Sequence, residues 1–174
     1  MAISPLLTGH PVSLAVLDYG LFKVHSNGRI IGICGYLIGT SAGEYVLIDS
    51  GFPRKYALDF VAASTEDRLY EFGEVLVCGP DNLPESQLGH CGVDPDAIDL
   101  VIQTHTHIDH IGGIADFTHA PMLIAAAERD LPRPLYWGGV QPLEWPDRQY
   151  VILDEDCDIG PGFSVMLAPG HAPG

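Results

Sequence analysis

The chain has 174 residues, of which 47% are hydrophobic, and this is enough for one domain with a buried core rather than a disordered segment. Eight lysines and arginines against 23 acidic residues give a formal net charge of −15, which disfavours contact with phosphate backbones and anionic membranes and therefore argues against a nuclease. No apolar run reaches the roughly 18 residues of a membrane span, and no linker or repeat divides the chain.

The amino terminus and the cysteines indicate the cellular compartment. Met-Ala-Ile-Ser-Pro has no basic segment ahead of an apolar run, so no secretory signal is predicted and a cytoplasmic location is expected. The cysteines show no C-x-x-C spacing and are predicted to be reduced and not to bind metal: Cys34, Cys78, Cys91 and Cys157. The sequence carries no signal for the oligomeric state.

The first half of the chain alternates strand and helix patterns. Apolar, β-branched runs predict strands at 13–17, 30–38 and 45–48, with a hairpin turn at 41–44. A helix is predicted over 53–63, with Pro53 in its first turn. Its predicted buried side consists of Tyr56, Leu58, Phe60 and Val61. Ser64 or Thr65 is predicted to cap a following short helix that contains Glu66, Asp67, Leu69 and Tyr70.

The second half continues this alternation. A further turn of helix is predicted over 84–89, a buried strand over 100–103, and a strand over 122–125 that leads into a short helix through Glu128 and Arg129. The last two strands are predicted at 150–153 and 163–167, separated by 154–162. Taken alone, the pattern predicts only a mixed α/β protein.

Four potential metal ligands lie within six consecutive residues: His105, His107, Asp109 and His110. Side chains at i and i+2 of an extended segment point to the same face, so His105 and His107 can bind one ion together. The chain must then turn before the other two can serve a neighbouring ion, and Gly112-Gly113 gives it the freedom to leave the site. So dense a cluster after an apolar strand indicates a metal site. His171 is a fifth candidate ligand.

The pattern His-x-His-x-Asp-His, preceded by the apolar run 99–103, resembles the signature of the metallo-β-lactamase superfamily. Tyr45-Val-Leu-Ile-Asp49-Ser-Gly51 resembles the strand that ends in an Asp-x-Gly turn near the metals of these proteins. Leu167-Ala-Pro-Gly-His171-Ala-Pro-Gly174 is similar to their third-histidine motif. The resemblance implies an α/β fold of the αββα sandwich type. Residues 1–174 would be a single domain, the N-terminal portion of that sandwich, incomplete at the C-terminus.

Within the superfamily the chain is most similar to the N-acyl-homoserine lactonases, on the segments 64–68, 92–100, 113–117 and 126–128. This resemblance implies one ion on His105, His107 and His171, and a second on Asp109 and His110. Two zinc ions are expected, with iron, manganese or cobalt as alternatives. A bridging Asp and a last His would lie outside this chain, so the activity of the 174 residues alone is an open question.

The resemblance also implies roles for two aspartates. Asp109 would be catalytic as well as a ligand, by carrying a proton to the leaving alkoxide. Asp49 would orient a ligand or its loop, and the alternative, an ordinary turn aspartate at a strand end, stays equally open.

The function implied is hydrolysis of a lactone or related carbonyl ester by a metal-activated hydroxide, as in quorum-quenching lactonases. The substrate would be a small acyl compound such as an acyl-homoserine lactone. The alternatives are a glyoxalase II-type thioester hydrolase, a mononuclear-iron persulfide dioxygenase, and an inactive metal-binding fragment. Trp137 and Trp145 lie in a proline-rich loop at 132–147, where they either line a pocket for the acyl chain or anchor the loop to the core.

Overall fold

The structure is a computed structural model that describes residues 5–174. Residues 1–4, part of the segment in which no secretory signal is predicted, lie outside the described residues. The strands are β1 (Pro11–Val24), β2 (Ile30–Thr40), β3 (Tyr45–Ile48), β4 (Gly73–Val77), β5 (Ile98–Gln103), β6 (Met122–Ala125), β7 (Tyr150–Leu153), β8 (Cys157–Gly160) and β9 (Phe163–Val165). The helices are α1 (Arg54–Glu66), α2 (Pro84–His90) and α3 (Ala126–Arg129).

Seven of the strands form one mixed sheet in the order β4-β1-β2-β3-β5-β6-β7. Strands β4, β1, β2 and β3 pair antiparallel, whereas β3, β5, β6 and β7 run parallel to one another. The carboxyl ends of these four parallel strands therefore meet at one edge of the sheet. In open α/β sheets this is the edge at which ligands bind. The remaining strands, β8 and β9, form a separate antiparallel hairpin.

The parallel half of the sheet is buried on both faces. Leu47, Val101 and Met122 belong to a hydrophobic cluster that includes residues of α1 and α2. Their neighbours along the strands, Val46 and Leu100 among them, belong to a second cluster together with Ile159 of β8. This two-sided burial explains the continuous apolar runs of these strands, and it confirms the predicted mixed α/β class.

The antiparallel half leaves one face uncovered within the described residues. Val12, Leu14 and Val16 of β1 are 61%, 62% and 62% exposed. They lie on the face that carries Tyr36 and Ile38 of β2, since Leu14 is paired with Ile38 and Val16 with Tyr36. A row of exposed aliphatic side chains therefore crosses this end of the sheet.

Among residues 5–174 no helix combines the length and the apolar character that crossing a bilayer requires.

Most of the predicted elements are confirmed. The observed ends differ from the predicted ones by at most three residues for the elements at 30–38, 45–48, 53–63, 84–89, 100–103 and 122–129. The hairpin turn at 41–44 is also present. The strand predicted at 13–17 is longer, because β1 continues through a bulge between Asp18 and Gly20 to pair with β4. Gly20 has φ +119°, and a Cβ there would collide with the carbonyl of Val77.

The predicted buried side of α1 is wrong for two of its four residues, because Leu58 is 78% and Val61 67% exposed. The helix is kinked at Asp59, whose φ of −157° and ψ of 90° are not helical. The Asp59 carboxylate accepts hydrogen bonds from the backbone N–H groups of Val61 and Ala62, as at a helix N-terminus. The kink shifts the phase between the two halves of α1, so a single apolar stripe does not form.

The short helix predicted to begin at Ser64 or Thr65 is also wrong. Both residues lie inside α1, which continues to Glu66. Only a 3₁₀ turn, Leu69–Glu71, follows, and the residue before it is Arg68 with a left-handed φ of 58°.

The last two predicted strands are present as β7 and β9, and β9 ends two residues earlier than predicted. The strand β8 was missed: it lies within the segment predicted to separate them and pairs with β9, whereas β7 pairs with β6 in the large sheet. The sequence of β8 contains Asp158 and Gly160, which are poor strand formers. Tertiary contacts form the strand instead, because Ile159 is fully buried and its carbonyl accepts hydrogen bonds from the backbone of Leu6 and Leu7. β4 was not predicted.

One carboxylate ties residues 8 and 9 to the turn between β2 and β3. Glu44 accepts hydrogen bonds from Thr8 N at 2.8 Å, Thr8 Oγ1 at 2.8 Å, Gly9 N at 3.0 Å and Thr40 Oγ1 at 2.7 Å. The hydrogen bond from Thr8 N contributes most, and together the four outweigh the opposing effect of burial and lower the pKa of Glu44 to about 2.

We expect Glu44→Gln to lower Tm at neutral pH by about 2–4 °C, equivalent to about 1 kcal/mol for a chain of this size. A carboxyl group with a lowered pKa stabilises the fold above its unfolded-state pKa of about 4.5, and this contribution is lost as the pH falls towards 2. The difference in Tm between wild type and variant should therefore shrink across that range in calorimetric scans. Glu155→Gln, at an exposed position, serves as the control. A difference that stays constant down to pH 2.5 would contradict the assignment.

Candidate metal centre

The carboxyl ends of β3 and β5 bring two distant parts of the chain together. These strands are parallel neighbours that end at Ile48 and Gln103, so the residues that follow them leave the sheet at the same edge. The backbone N–H of Asp49 donates to the carbonyl of Ile102, and that of Ser50 donates to the carbonyl of His110. The loop after β3 is thereby fixed against the histidine segment after β5.

Three of the predicted ligands form a compact group. One ligand atom from each of His105, His107 and His171 lies within 4.8 Å of the other two. His107 Nδ1 and His171 Nε2 are 3.0 Å apart. His105 and His107 follow β5, whereas His171 follows β9, which places it at the same edge from a segment more than sixty residues away.

This group fits a zinc ion. Zinc bound by imidazole nitrogens at about 2.0–2.1 Å in tetrahedral geometry separates those nitrogens by roughly 3.3 Å, close to the spacing of His107 and His171. Three histidines leave one tetrahedral position free, as catalytic zinc sites require.

The electrostatic surroundings keep two of these histidines neutral. Burial, followed by the neighbouring His110, His107 and His171, lowers the pKa of His105 to about 3. Burial and His171 also lower the pKa of His107. Neutral imidazole is the form that binds a metal ion, so no proton has to be displaced from His105 at neutral pH.

Asp109 and His110 lie beside this group. The ring centroids of His105 and His110 are 4.2 Å apart, and His110 Nε2 is 3.5 Å from Asp109 Oδ2. His110 Nδ1 is 2.8 Å from Asp49 Oδ2. A carboxylate can only accept, so Nδ1 carries a proton and Nε2 is free to face a second ion together with Asp109. Burial opposes protonation of His110, but the hydrogen bond to Asp49 and the charges of Asp109 and Asp49 outweigh it and raise the pKa.

The Asp49 carboxylate connects the loop after β3 to the end of β5 and the residues that follow it. Oδ1 accepts from Gln103 Nε2 at 3.1 Å and Thr104 N at 2.9 Å, and Oδ2 accepts from Thr104 Oγ1 at 2.8 Å as well as from His110. Asp49 has φ +60°, a left-handed conformation that Asp tolerates better than most residues. It is therefore a turn residue that also contacts the candidate ligand His110.

Sequence reasoning assigned no role to several polar residues around this centre. The amide nitrogen of Gln103 lies 2.6 and 3.0 Å from the carbonyl oxygens of His105 and His110 and 3.1 Å from Asp49 Oδ1, so its two N–H groups are shared among three acceptors. Thr106 and Glu128 are fully buried, and Thr106 donates hydrogen bonds to the Glu128 carboxylate. A glutamate three residues beyond the fully buried strand Met122–Ala125 was the available signal for the last of these.

Gly112 has a different role from the conformational freedom predicted for it. Its φ is not positive, and a Cβ at this position would collide with the backbone of Phe52. Its N–H donates to the carbonyl of Gly51 at 2.7 Å. The glycine is therefore required by the close approach of the two loops.

An apolar cavity of about 170 Å³ opens beside the histidines. It is lined by Phe22, Ile31, Phe52, Leu69, Phe72, His107, Ile108, Asp109, Trp137 and His171. The rings of Phe72 and Trp137 lie against each other with centroids 4.7 Å apart. Aromatic and aliphatic walls next to candidate metal ligands can hold an apolar substituent of a substrate.

Of the two tryptophans predicted to contact substrate, the structure brings only Trp137 to this cavity. Trp145 donates its indole N–H to the carbonyl of Leu131 at 2.8 Å. The Arg129 guanidinium lies 4.8 Å from the Trp145 ring centroid, and Tyr150 meets the ring edge-on. Trp145 therefore anchors the 132–147 loop, which was the alternative reading for both tryptophans.

A larger cavity of about 340 Å³ lies between the sheet and the segment that follows β9. None of its lining residues is titratable, and they include Leu123, Leu153, Phe163 and Met166. Acid–base and metal chemistry therefore belong to the smaller cavity.

Comparison with known proteins agrees with this geometry. A family model described as the metallo-beta-lactamase superfamily matches residues 35–174. N-acyl homoserine lactonases of Bacillus thuringiensis and Bacillus cereus are each 29% identical to this chain over 80% of its length and 54% of theirs. The chain thus spans about half the length of the curated relatives it matches.

Solved structures match as well. A mutant of AiiA from B. thuringiensis with N-decanoyl-L-homoserine bound at the active site covers 96% of this chain and 68% of its own, with a TM-score of 0.73 and 23% identity. An N-acyl homoserine lactone hydrolase with the product N-hexanoyl-L-homoserine at its catalytic metal centre gives the same TM-score and identity. These likenesses confirm the predicted metallo-β-lactamase-like fold.

We expect Asp49→Asn to weaken metal binding at the position that Asp109 and His110 would share by 10- to 100-fold, so that the metal content per chain falls below that of wild type. Asn tolerates the left-handed backbone at this position but cannot accept all four hydrogen bonds, since its amide nitrogen is a donor. Metal content by mass spectrometry and competition with a chelator dye measure both quantities. Asp94→Asn, which keeps its hydrogen bond from Asp96 N, is the control. Full metal content in Asp49→Asn would refute the orienting role.

Proposed function

Because this chain belongs to the metallo-β-lactamase superfamily, we propose that it acts as a metal-dependent hydrolase that opens the lactone ring of N-acyl homoserine lactones. The observation that supports this most directly is the group of His105, His107 and His171 beside an apolar cavity. The relatives named as N-acyl homoserine lactonases support the choice of substrate.

The proposed metal ligands are those that the motif predicted. His105, His107 and His171 would hold one ion, and Asp109 and His110 the second. When bound, two zinc ions supply a hydroxide at neutral pH and polarise the substrate carbonyl. Iron, manganese and cobalt are alternatives for the resident metal, because imidazole and carboxylate also suit them.

The remaining steps fall to the protein's own groups. Hydrolysis breaks the ring C–O bond of the lactone, and the departing alkoxide needs a proton. In this proposal the carboxyl group of Asp109, which lines the cavity together with His107, would carry that proton. Asp49 keeps His110 Nε2 facing Asp109 through the 2.8 Å hydrogen bond to Nδ1.

The cavity and the surface charge favour an uncharged acyl substrate. Phe22, Phe52 and Trp137 offer an apolar wall for an acyl chain next to the ligands. The net charge of −15 repels nucleic acids and other polyanions but does not affect a neutral lactone. A small-molecule acyl substrate is accordingly part of the proposal. A cytoplasmic location is proposed separately, from the sequence alone.

We expect the purified chain to contain about two zinc ions and to release acid from N-hexanoyl homoserine lactone in a pH-stat assay. His107→Ala should lose bound metal and reduce the rate to below about 1% of wild type, because an imidazole ligand of the first ion is gone. His119→Ala, an exposed histidine outside the cluster, should leave metal content and rate unchanged.

Turnover retained in His107→Ala would overturn the mechanism. Faster hydrolysis of a glutathione thioester than of the lactone would assign the protein to the glyoxalase II type instead. One iron per chain with oxygen uptake would identify a persulfide dioxygenase.

We expect Trp137→Ala to raise KM for the N-decanoyl lactone about tenfold and to change kcat little. The indole provides cavity wall, and the loss of about 1.4 kcal/mol of apolar contact corresponds to a factor of ten. Trp145→Ala is the matched control, because this indole contacts Leu131, Arg129 and Tyr150. The control should lower Tm and leave the KM ratio of N-decanoyl to N-butanoyl substrates unchanged. Equal effects of both variants on that ratio would refute the role of Trp137.

A further inference from the structure

Thr106 lies between two candidate metal ligands, and its side chain faces away from them. Side chains alternate along extended backbone, so while His105 and His107 point into the metal group, Thr106 points to the opposite side. It is fully buried there, and so is the carboxylate it contacts, Glu128 of α3.

Glu128 holds both the backbone and the side chain of Thr106. Its Oε2 accepts from Thr106 N at 3.0 Å and from Thr106 Oγ1 at 2.6 Å. Thr106 Oγ1 in turn accepts from Leu135 N at 3.0 Å, and the carbonyl of Thr106 accepts from Tyr136 N at 2.9 Å. The residue between the two histidines is therefore fixed in position by four hydrogen bonds.

The same carboxylate also contacts the segment that carries the third histidine. Glu128 Oε1 faces Gly174 N at 3.4 Å, and a Cβ on Gly174 would lie 2.9 Å from Glu128 Cγ. Gly174 is three residues beyond His171. Glu128 thus touches both segments that bring ligands to the group.

The charge of Glu128 has no basic partner among residues 5–174, since no lysine or arginine nitrogen lies within 4.0 Å of its oxygens. A buried carboxylate without a cation is costly, even when hydrogen-bonded. Cations bound by the neighbouring histidines would offset its negative charge.

We propose that Thr106 and Glu128 are positioning residues that set the separation of His105, His107 and His171 and thereby the metal affinity of the group. The pair acts through the backbone on both ligand segments and does not touch the ion or the substrate. This inference rests on the metal centre of the proposed function and is independent of the lactone substrate.

The test compares cobalt(II) binding by wild type, Thr106→Val and Thr106→Ser. Valine keeps the shape of threonine but lacks the hydroxyl group that bonds Glu128 and Leu135, whereas serine retains it. Thr106→Val should bind cobalt at least tenfold more weakly and with an altered visible absorption spectrum, and Thr106→Ser should stay within about threefold of wild type.

Thr40→Val is the matched control for loss of stability. It removes a hydroxyl group that donates to a glutamate at 2.7 Å, but at the turn between β2 and β3, the opposite end of β3 from the metal group. This control should lower Tm and leave cobalt affinity and spectrum unchanged.

The outcomes separate this inference from the proposed function. Folded Thr106→Val with wild-type cobalt affinity and spectrum would overturn the positioning role, and so would an equal loss of affinity in Thr40→Val. If Thr106→Val does not fold, Glu128→Gln replaces it, and wild-type affinity in that variant overturns the proposal. Absence of cobalt uptake by the wild-type chain would overturn both conclusions. The expected cobalt results without lactone hydrolysis would support the inference and refute the proposed substrate.

Discussion

The candidate centre depends on one buried carboxylate more than on any other group. Asp49 is 4% exposed. Its carboxylate accepts hydrogen bonds from Gln103, the last residue of β5, and from Thr104 and His110, which follow this strand. Two of these bonds fix the backbone path at Thr104, and one sets the ring orientation of His110. Without this carboxylate, the loops after the two strands would be joined by backbone contacts and by Ser50 Oγ, which donates to the carbonyl of His110 and accepts from Gly113 N. The geometry of the centre therefore depends on the contacts between the ends of β3 and β5 as well as on the histidines.

The ends of β3 and β5 meet because the sheet changes from antiparallel to parallel pairing at β3. β3 pairs antiparallel with β2 and parallel with β5, so an antiparallel hairpin leads directly into the parallel half. The parallel strands deliver their loops to one edge, and the residues of the candidate centre come from the segments after β3, β5, β6 and β9. Elements that bury apolar side chains on both faces thus hold the polar groups at their ends.

Local patterns in the sequence predict those parts of the fold that interactions between neighbouring residues determine. The i, i+2 spacing of His105 and His107 predicts their common face, and the apolar run before them predicts β5. Two features were missed for different reasons. The kink at Asp59 is local, because the Asp59 carboxylate accepts from the backbone of Val61 and Ala62 and competes with the helix, whereas β8 depends on tertiary contacts that bury Ile159. The contact between Thr106 and Glu128 joins residues 22 positions apart that no periodicity connects.

The exposed row of Val12, Leu14 and Val16 affects how this protein behaves in common folding assays. Dyes such as ANS fluoresce on contact with clustered apolar surface, and their binding is usually taken as a sign of a molten globule. Here the native sheet itself offers such a surface, with Tyr36 beside it. Dye fluorescence would thus report the folded state, and near-UV circular dichroism, which follows the fixed packing of the buried tyrosines, is the better signal for unfolding.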